Sequence, residues 1–168
     1  MGVEFDKYLK EIDEKVVLLK DKNEKGSLDW YINWYADRFP FARIKYRAAG
    51  IGVLIIALAG AYGISEKDVL SLELLATVAA LLVSLNAFFS WGTAWRVYFH
   101  AKVRLEFIRQ AYEFSLIQAR HQADDDKAID VVNKALDSLM QNSGETIAEE
   151  AKSYFESLKF PSLKDVKG

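Results

Sequence analysis

Residues 48–65 read AAGIGVLIIALAGAYGIS and residues 74–95 read LLATVAALLVSLNAFFSWGTAW, and neither stretch contains a charged side chain. Each is long enough to cross the hydrocarbon core of a bilayer, which takes about 18–20 apolar residues in a helix. The short segment between them is polar and includes Glu66, Lys67, Asp68 and Glu73. The sequence therefore predicts an all-α membrane protein with a two-helix transmembrane hairpin.

A water-soluble helical bundle and a signal peptide account for the apolar stretches less well. A core helix of a water-soluble bundle keeps a polar face, with charges recurring every three or four positions, and neither stretch has such a face. A chain of 168 residues is also too small to enclose two helices that are apolar on all sides. A signal peptide is excluded because the first stretch begins far from the N-terminus, after a highly charged segment.

Cations flank the pair of apolar stretches on its outer ends. They are Arg38, Arg43, Lys45 and Arg47 before the first stretch, and Arg96, Lys102 and Arg104 after the second. The turn between the stretches has a single cation, Lys67. Because cytoplasmic flanks of membrane helices collect Lys and Arg, both termini are predicted to be cytoplasmic and residues 65–68 to lie outside.

Four tryptophans lie near the expected cytoplasmic face of the hairpin. Trp91 and Trp95 are at the inner end of the second stretch, and Trp30 and Trp34 precede the first. Indole rings are enriched at the headgroup level, so all four are expected to be interfacial anchors. For Trp30 and Trp34, packing against cytoplasmic helices is an equally good interpretation. The expected set of anchors is completed by Arg43, Lys45, Arg47 and Arg96.

The chain divides into three parts around the hairpin. Residues 1–40 are predicted to form cytoplasmic N-terminal helices, residues 41–95 the hairpin, and residues 96–168 a cytoplasmic helical extension. In the first part, apolar spacing predicts an amphipathic helix from residue 3 to about residue 22. A short helix over residues 28–39 follows, with Ser27 as its N-cap and Pro40 as its end.

The second apolar stretch is predicted to continue into one long helix over about residues 72–121. Its cytoplasmic part has apolar or small residues at alternating spacings of four and three, which indicates a heptad seam for self-association or for packing against the chain's own helices. The seam consists of Ala101, Leu105, Ile108, Tyr112, Ser115 and Ala119. Beyond it, residues 124–126 are expected to cap a helix that ends at residues 142–144, and a last helix covers residues 145–158.

The candidate pore-lining or helix-pairing residues are the polar residues Thr77, Ser84 and Asn86 of the second stretch and Glu73, which lies just before it at its outer end. An amide in hydrocarbon needs a partner, so Asn86 is expected to face another helix or water. It shares its helix face with apolar residues spaced by three or four. One interhelical hydrogen bond and a pore-lining ring in an oligomer both remain open for Asn86. Glu73 is either a solvated interfacial residue or part of an acidic ring.

Several classes of chemistry are not indicated by the sequence. The chain has no Cys, which removes disulfides, thiolate metal sites and thiol nucleophiles. A net charge of −2 provides no basic excess for binding nucleic acid. His100 and His121 have no second ligand at metal spacing, and residues 124–126 are better interpreted as a helix cap than as a cation site. No catalytic residue, cofactor or metal is therefore predicted, and an enzyme is not expected.

Motifs around the hairpin give the chain a resemblance to a known family. Residues 30–35 read WYINWY and are followed by Arg38, residues 42–47 read ARIKYR, and residues 95–106 read WRVYFHAKVRLE. In these motifs and in its architecture, over about residues 28–158, the chain resembles the SLATT family of bacterial two-helix membrane effectors.

That resemblance implies a bacterial inner-membrane location and a pore-forming role in defence against phage. It also implies a separate nucleotide-sensing protein as an activating partner, because this chain has no fused nucleotide-sensing domain. Two functions are therefore expected as alternatives. One is an oligomeric effector that permeabilises the lipid bilayer as a homo-oligomer; the other is a non-conducting, membrane-anchored helical adaptor for a soluble partner.

Overall fold

A computed structural model of the protein describes residues 3–62 and 69–157, and this part of the chain is helical without any strand. The α-helices are α1 (Val3–Lys15), α2 (Leu28–Tyr62), α3 (Val69–Phe89), α4 (Trp91–Arg120) and α5 (Asp125–Ser157), and a 3₁₀ turn covers Val17–Leu19. The predicted all-helical class is thus confirmed for the described residues. The predicted turn at residues 65–68 and the last residues, from 158 onward, lie outside the described residues.

The described residues fall into two compact units. Of the described residues, unit 1 contains those up to Asp37 together with Tyr98–Lys152, and unit 2 contains those of Arg38–Val97 together with residues 153–157. These boundaries differ from the predicted division at residues 40 and 95, because they lie inside α2, α4 and α5 and not at helix ends. Each unit is therefore described by itself.

Two helix starts are where the capping residues predict them. Ser27 Oγ accepts a hydrogen bond from the backbone N–H of Trp30 at 3.0 Å and donates one to the Asp21 carbonyl oxygen at 3.0 Å. Asp124 Oδ1 accepts a hydrogen bond from the backbone N–H of Asp126 at 3.1 Å. Both side chains satisfy amides that a helix start leaves without a partner in its own backbone.

The expected helix break at Pro40 is wrong, because α2 runs through it to Tyr62. A proline inside a helix removes one backbone hydrogen bond and costs about 3 kcal/mol. Packing on both sides of the proline offsets that cost, since Tyr35 is buried before it and Ala42 and Ala49 are buried after it.

The expected end of a helix at residues 142–144 is also wrong, because α5 is continuous to Ser157. Ser143 and Thr146 are buried, and Thr146 Oγ1 donates to the Asn142 carbonyl oxygen at 2.7 Å, which satisfies that hydroxyl inside the helix. Ser143 and Thr146 are residue types that often occur in turns, but in this structure they are small side chains on a packed face of α5.

The first helix is shorter than its apolar spacing predicts. α1 ends at Lys15, Val16 is extended with φ −90° and ψ 107°, and a single 3₁₀ turn follows. Val16 and Leu19 pack against buried side chains of unit 1 in this irregular conformation. Apolar spacing alone cannot distinguish such a turn from a further turn of α-helix.

The single long helix predicted over residues 72–121 is interrupted at Ser90. This residue has a left-handed backbone with φ 46°, which costs a non-glycine residue about 1–2 kcal/mol. Its carbonyl oxygen accepts hydrogen bonds from the amides of Thr93 at 2.8 Å and Ala94 at 2.9 Å, and so starts α4. The second apolar helix therefore ends at Phe89. α3 alone has 21 residues, or about 31 Å at 1.5 Å per residue.

The heptad seam on α4 forms the core of unit 1. Ala101, Leu105 and Tyr112 are buried with Leu28, Ile32, Tyr35 and Leu139, while Ala119 is buried with Phe5, Ile12, Ala128 and Val132. Of the two roles expected for the seam, packing against the chain's own helices is confirmed. Its buried residues are covered within one chain, whereas Ile108 and Ser115 are only partly buried, and self-association through them stays a prediction.

Close helix contacts in unit 2 depend on two glycines. A Cβ at Gly92 would lie 2.9 Å from the ring of Tyr46, and a Cβ at Gly52 would lie 3.1 Å from a methyl group of Leu82. Any side chain at Gly92 would force the Tyr46 ring to move. These positions bring α2 close to α4 and to α3, as small residues do in pairs of apolar helices.

The role of the seam predicts the effect of truncating it. Leu105→Ala removes a side chain with 0% exposure and should lower the free energy of unfolding by about 2–5 kcal/mol, because it leaves a cavity. The control is Phe107→Ala on the same helix, whose ring is 66% exposed and whose loss should change stability by less than about 0.5 kcal/mol. Thermal unfolding of the detergent-solubilised chain would measure both. Equal effects of the two changes would contradict the burial of the seam.

Candidate functional site

Unit 2 exposes large apolar side chains along both of its apolar helices. On α2 these are Ile51, Leu54, Ile55 and Leu58, and on α3 they are Leu74, Val78, Leu81 and Val83, each with more than a third of its surface exposed. Isolated apolar residues on a surface are common, but contiguous exposed stretches of this length mark a surface that another phase or molecule covers.

One stretch among the described residues, Glu73–Arg120, which joins most of α3 to α4 across Ser90, is long and apolar enough to cross a membrane by length and composition, and none of its most apolar window is buried. It contains the second predicted span. The first predicted span, 48–65, is helical as far as Tyr62, and its last three residues lie outside the described part of the chain.

The candidate polar residues of α3 lie on two different faces. Glu73, Thr77 and Ser84 share one face with Ala80 and Ala87, because the five positions follow each other at spacings of four, three, four and three. All five are exposed, and we call this row the polar stripe. Thr77 Oγ1 donates to the Glu73 carbonyl oxygen at 2.8 Å, so its hydroxyl proton is satisfied within the helix. The structure thus brings three of the four predicted residues into one row.

Asn86 lies on the other side of α3 from the polar stripe, with Leu82 one turn before it. Together with Leu82 and Val83 it lines a groove whose other wall is formed by α2, from Tyr46 to Leu54. Its Oδ1 is buried and has no hydrogen-bond partner among the described residues. Asn86 therefore faces the chain's own second helix, as the helix-pairing hypothesis requires, but without the interhelical hydrogen bond.

The predicted interfacial anchors also separate into two groups. In unit 2, the Arg43 guanidinium lies over the Trp95 ring at 5.8 Å, Trp91 stacks on Phe89 at 5.7 Å, and Arg96 Nε donates to the Gly92 carbonyl oxygen at 3.0 Å. Lys45 and Arg47 are exposed on α2. These contacts gather aromatic and cationic groups at one end of the apolar helices, the composition typical of a headgroup region.

Trp30 and Trp34 belong to an aromatic cluster of unit 1. Their rings stack at 6.4 Å, and Trp34 makes edge contacts with Tyr35 at 4.9 Å and with Tyr98 at 5.8 Å. Trp34 also packs against the buried core around Leu28. Trp34 therefore packs between helices of unit 1, as one of the two interpretations of the sequence expects, whereas the ring contacts of Trp30 are to Tyr31 and Trp34 of its own helix.

A buried polar pair lies beside this cluster. The Tyr35 hydroxyl donates to Glu150 Oε2 at 3.0 Å, and Tyr35 is only 1% exposed. Burial raises the pKa of the Glu150 carboxyl, and the hydrogen bond from Tyr35 opposes that rise. Burial also raises the pKa of Tyr35, with the charge of Glu150 adding to the effect. The next residue, Glu149, instead forms an ion pair with Arg104 on the surface.

Unit 1 also exposes an aromatic row that sequence reasoning did not identify. Phe99, Phe107, Phe114 and Ile117 are exposed on α4, and Phe107 also lines a groove of about 730 Å³ between α4 and α5. Their spacing is helical, so this row could have been recognised as a second apolar face once the seam had been assigned to the core.

Nothing in the described residues forms a metal site, since no group of three or more His, Asp or Glu side chains could hold an ion there. Comparison of the chain with protein-family models, with curated proteins and with solved structures found no significant match. Geometry and sequence therefore provide the arguments about function.

The raised pKa of Glu150 predicts a pH-dependent stability. The folded state binds this proton more tightly than the unfolded state, so stability falls as pH rises through the interval above the ordinary pKa of Glu, about 4.3. Glu150→Gln keeps an acceptor for Tyr35 and avoids the buried charge. The variant should therefore unfold at a higher temperature than the wild type near pH 7, and the gain should shrink as pH falls to about 4.

Glu149→Gln is the matched control. It removes a solvent-exposed ion pair of the kind that contributes about 0–1 kcal/mol, so it should not raise the unfolding temperature at neutral pH. Thermal unfolding of the full chain followed by circular dichroism would measure both variants. A Glu150→Gln variant less stable than wild type near pH 7 would contradict the assignment of burial as the main cause of the shift.

Proposed function

We propose that the protein is a homo-oligomeric effector of the bacterial inner membrane that permeabilises the bilayer, as its resemblance to the SLATT family implies. The observation that supports this best is the polar stripe of α3 on a helix whose other exposed residues are apolar. Small and polar residues in one row on an apolar helix mark either a contact with another helix or a surface that faces water.

A single chain cannot use the polar stripe as a water path. Asn86 and Leu82 face α2, and the polar stripe is on the other side of α3 from them. Val83 lies between these two faces and is exposed. Two helices do not enclose a channel, so a pore requires several copies arranged around one axis with a stripe from each. In that arrangement, Glu73 forms an acidic ring at one mouth, which favours cations.

We propose a topology in which both apolar helices cross the membrane and both termini are cytoplasmic. The flanking cations support it, because Lys and Arg collect on the cytoplasmic side of membrane helices. α2 has Arg38, Arg43, Lys45 and Arg47 before its apolar part, and α4 has Arg96 in its second turn. α3 has a length of about 31 Å, close to the hydrocarbon thickness of about 30 Å. With that topology, residues 65–68 form the outer turn.

A non-conducting adaptor is the second candidate function, and the exposed aromatic row of α4 favours it. Phe99, Phe107, Phe114 and Ile117 would offer a soluble helical partner an apolar face. In this case, the polar stripe would be a dry contact between membrane helices. A triggered effector with a separate nucleotide-sensing partner would need such a face as well, so conduction is the property that separates the two candidates.

Cysteine substitution along α3 tests the pore. The natural chain has no Cys, so each introduced thiol is the only one. Flux-active proteoliposomes of Thr77→Cys and Ser84→Cys should be blocked by a charged methanethiosulfonate reagent, because their thiols face water and ionise there. The neighbours Val78→Cys and Val83→Cys are matched controls at the same depth. Their thiols face lipid or protein and should react at least about tenfold more slowly.

The outcomes separate the two candidate functions. Block at the stripe positions alone supports the pore. Equal reaction rates at stripe and control positions, or block at Val83→Cys alone, would contradict the stripe as the lining. If wild-type liposomes show no ion flux and stripe cysteines cross-link between chains, the adaptor is the better account.

A further inference from the structure

Unit 2 has an open groove that the proposed pore does not use. Its walls are Tyr46 to Leu54 of α2 on one side and Leu82, Val83 and Asn86 of α3 on the other, and its volume is about 770 Å³. That volume lies within the range of about 300–1,000 Å³ that is usual for sites of small molecules. Apart from Tyr46, Arg47 and Asn86, its lining is aliphatic or glycine.

The groove has a cation at one end and hydrocarbon side chains along its length. Arg47 immediately precedes the first uncharged stretch, and Leu54 lies seven residues further along α2, or about 10 Å. One leaflet of the hydrocarbon core is about 15 Å thick. In the proposed topology, the groove thus extends from the headgroup level through much of one leaflet.

Acidic residues are scarce in the sequence around both walls of the groove. No acidic residue occurs between Asp37 and Glu66, and Glu73 is the only one in residues 69–97. Glu73 is 13 positions before Asn86 on α3, or about 20 Å along the helix, so it is remote from Arg47. A groove of this kind is complementary to a molecule with one negative group and a long apolar chain.

We infer that this groove binds an anionic phospholipid, with the phosphate at Arg47 and one acyl chain against Gly50, Leu54 and Leu82. Basic recesses between membrane helices at the cytoplasmic face recognise such headgroups through their charge. The inference rests on the membrane embedding proposed above. A second copy is a poorer occupant, because the contacts proposed between copies use the polar stripe on the other side of α3.

Gly50 provides an independent way to test occupancy. A Cβ built at Gly50 has no other atom within 4 Å, so a side chain there enters open space without disturbing the helix contacts. Gly52, by contrast, is held against Leu82 at 3.1 Å. Gly50→Phe should therefore fill the groove and leave the fold intact, which far-ultraviolet circular dichroism would verify.

Native mass spectrometry of delipidated protein, titrated with dioleoyl phosphatidylglycerol or dioleoyl phosphatidylcholine, measures the site directly. The wild type should bind the anionic lipid about fivefold more tightly, the contribution expected of one cation near a headgroup. Arg47→Gln should remove this preference. Lys45→Gln loses the same charge two positions away, outside the groove lining, and should keep the preference for the anionic lipid. Gly50→Phe should weaken binding of both lipids, and inorganic phosphate should not compete.

Equal affinities of the wild type for the two lipids would overturn the inference, as would loss of the preference in Lys45→Gln to the same degree as in Arg47→Gln. Competition by inorganic phosphate would show a simple anion site and would also overturn it. Failure of the proposed function has a different signature, which is release of the chain from membranes by alkaline carbonate or absence of ion flux. A chain that resists extraction and conducts, yet shows no lipid preference, would contradict the lipid site alone.

Discussion

Removal of apolar side chains from water is the constraint on which the rest of the structure depends, and the two units meet it differently. In unit 1 the seam of α4 is covered by α1, by the start of α2 and by α5, so that Leu105 and Val132 are fully buried. In unit 2 the side chains of Leu54 and Leu81 are left exposed by the chain itself. In the proposed topology hydrocarbon covers this surface, and backbone groups there are satisfied because α2 and α3 are continuous helices.

This division assigns separate tasks to the polar residues. Several polar groups of unit 1 are satisfied inside the fold, as Ser27 is by its cap hydrogen bonds and Tyr35 by its hydrogen bond to Glu150, although Ser143 Oγ is buried without a partner among the described residues. Polar groups of α3 have no such task in a single chain: Glu73 and Ser84 are exposed, and Asn86 Oδ1 is buried without a partner. Unsatisfied polarity on an apolar helix is expensive, so these residues are where assembly, water or a lipid is expected to make contact.

The sequence was sufficient to predict the helical class, both caps and the apolar helices, because these depend on composition and on neighbours within one turn. The continuity of α2 through Pro40 and of α5 through Ser143 was not predictable, because packing partners distant in sequence overrule the local preference for a turn. The left-handed backbone of Ser90 was not predictable either, because serine has no preference for that conformation. The candidate site was predicted as a set of residues, and the structure divided that set, with Asn86 facing α2 and the others facing away.

The central claim is that the exposed apolar side chains of unit 2 face hydrocarbon. Nitroxide labels at Leu54 and Leu81, with a third at the exposed turn residue Gln122, would test it in lipid bilayers through collision rates with oxygen and with a water-soluble nickel chelate. Oxygen concentrates in hydrocarbon and the chelate is excluded from it. We therefore expect high oxygen and low chelate accessibility at Leu54 and Leu81, and the reverse at Gln122. Chelate accessibility at Leu54 and Leu81 equal to that at Gln122 would contradict the claim.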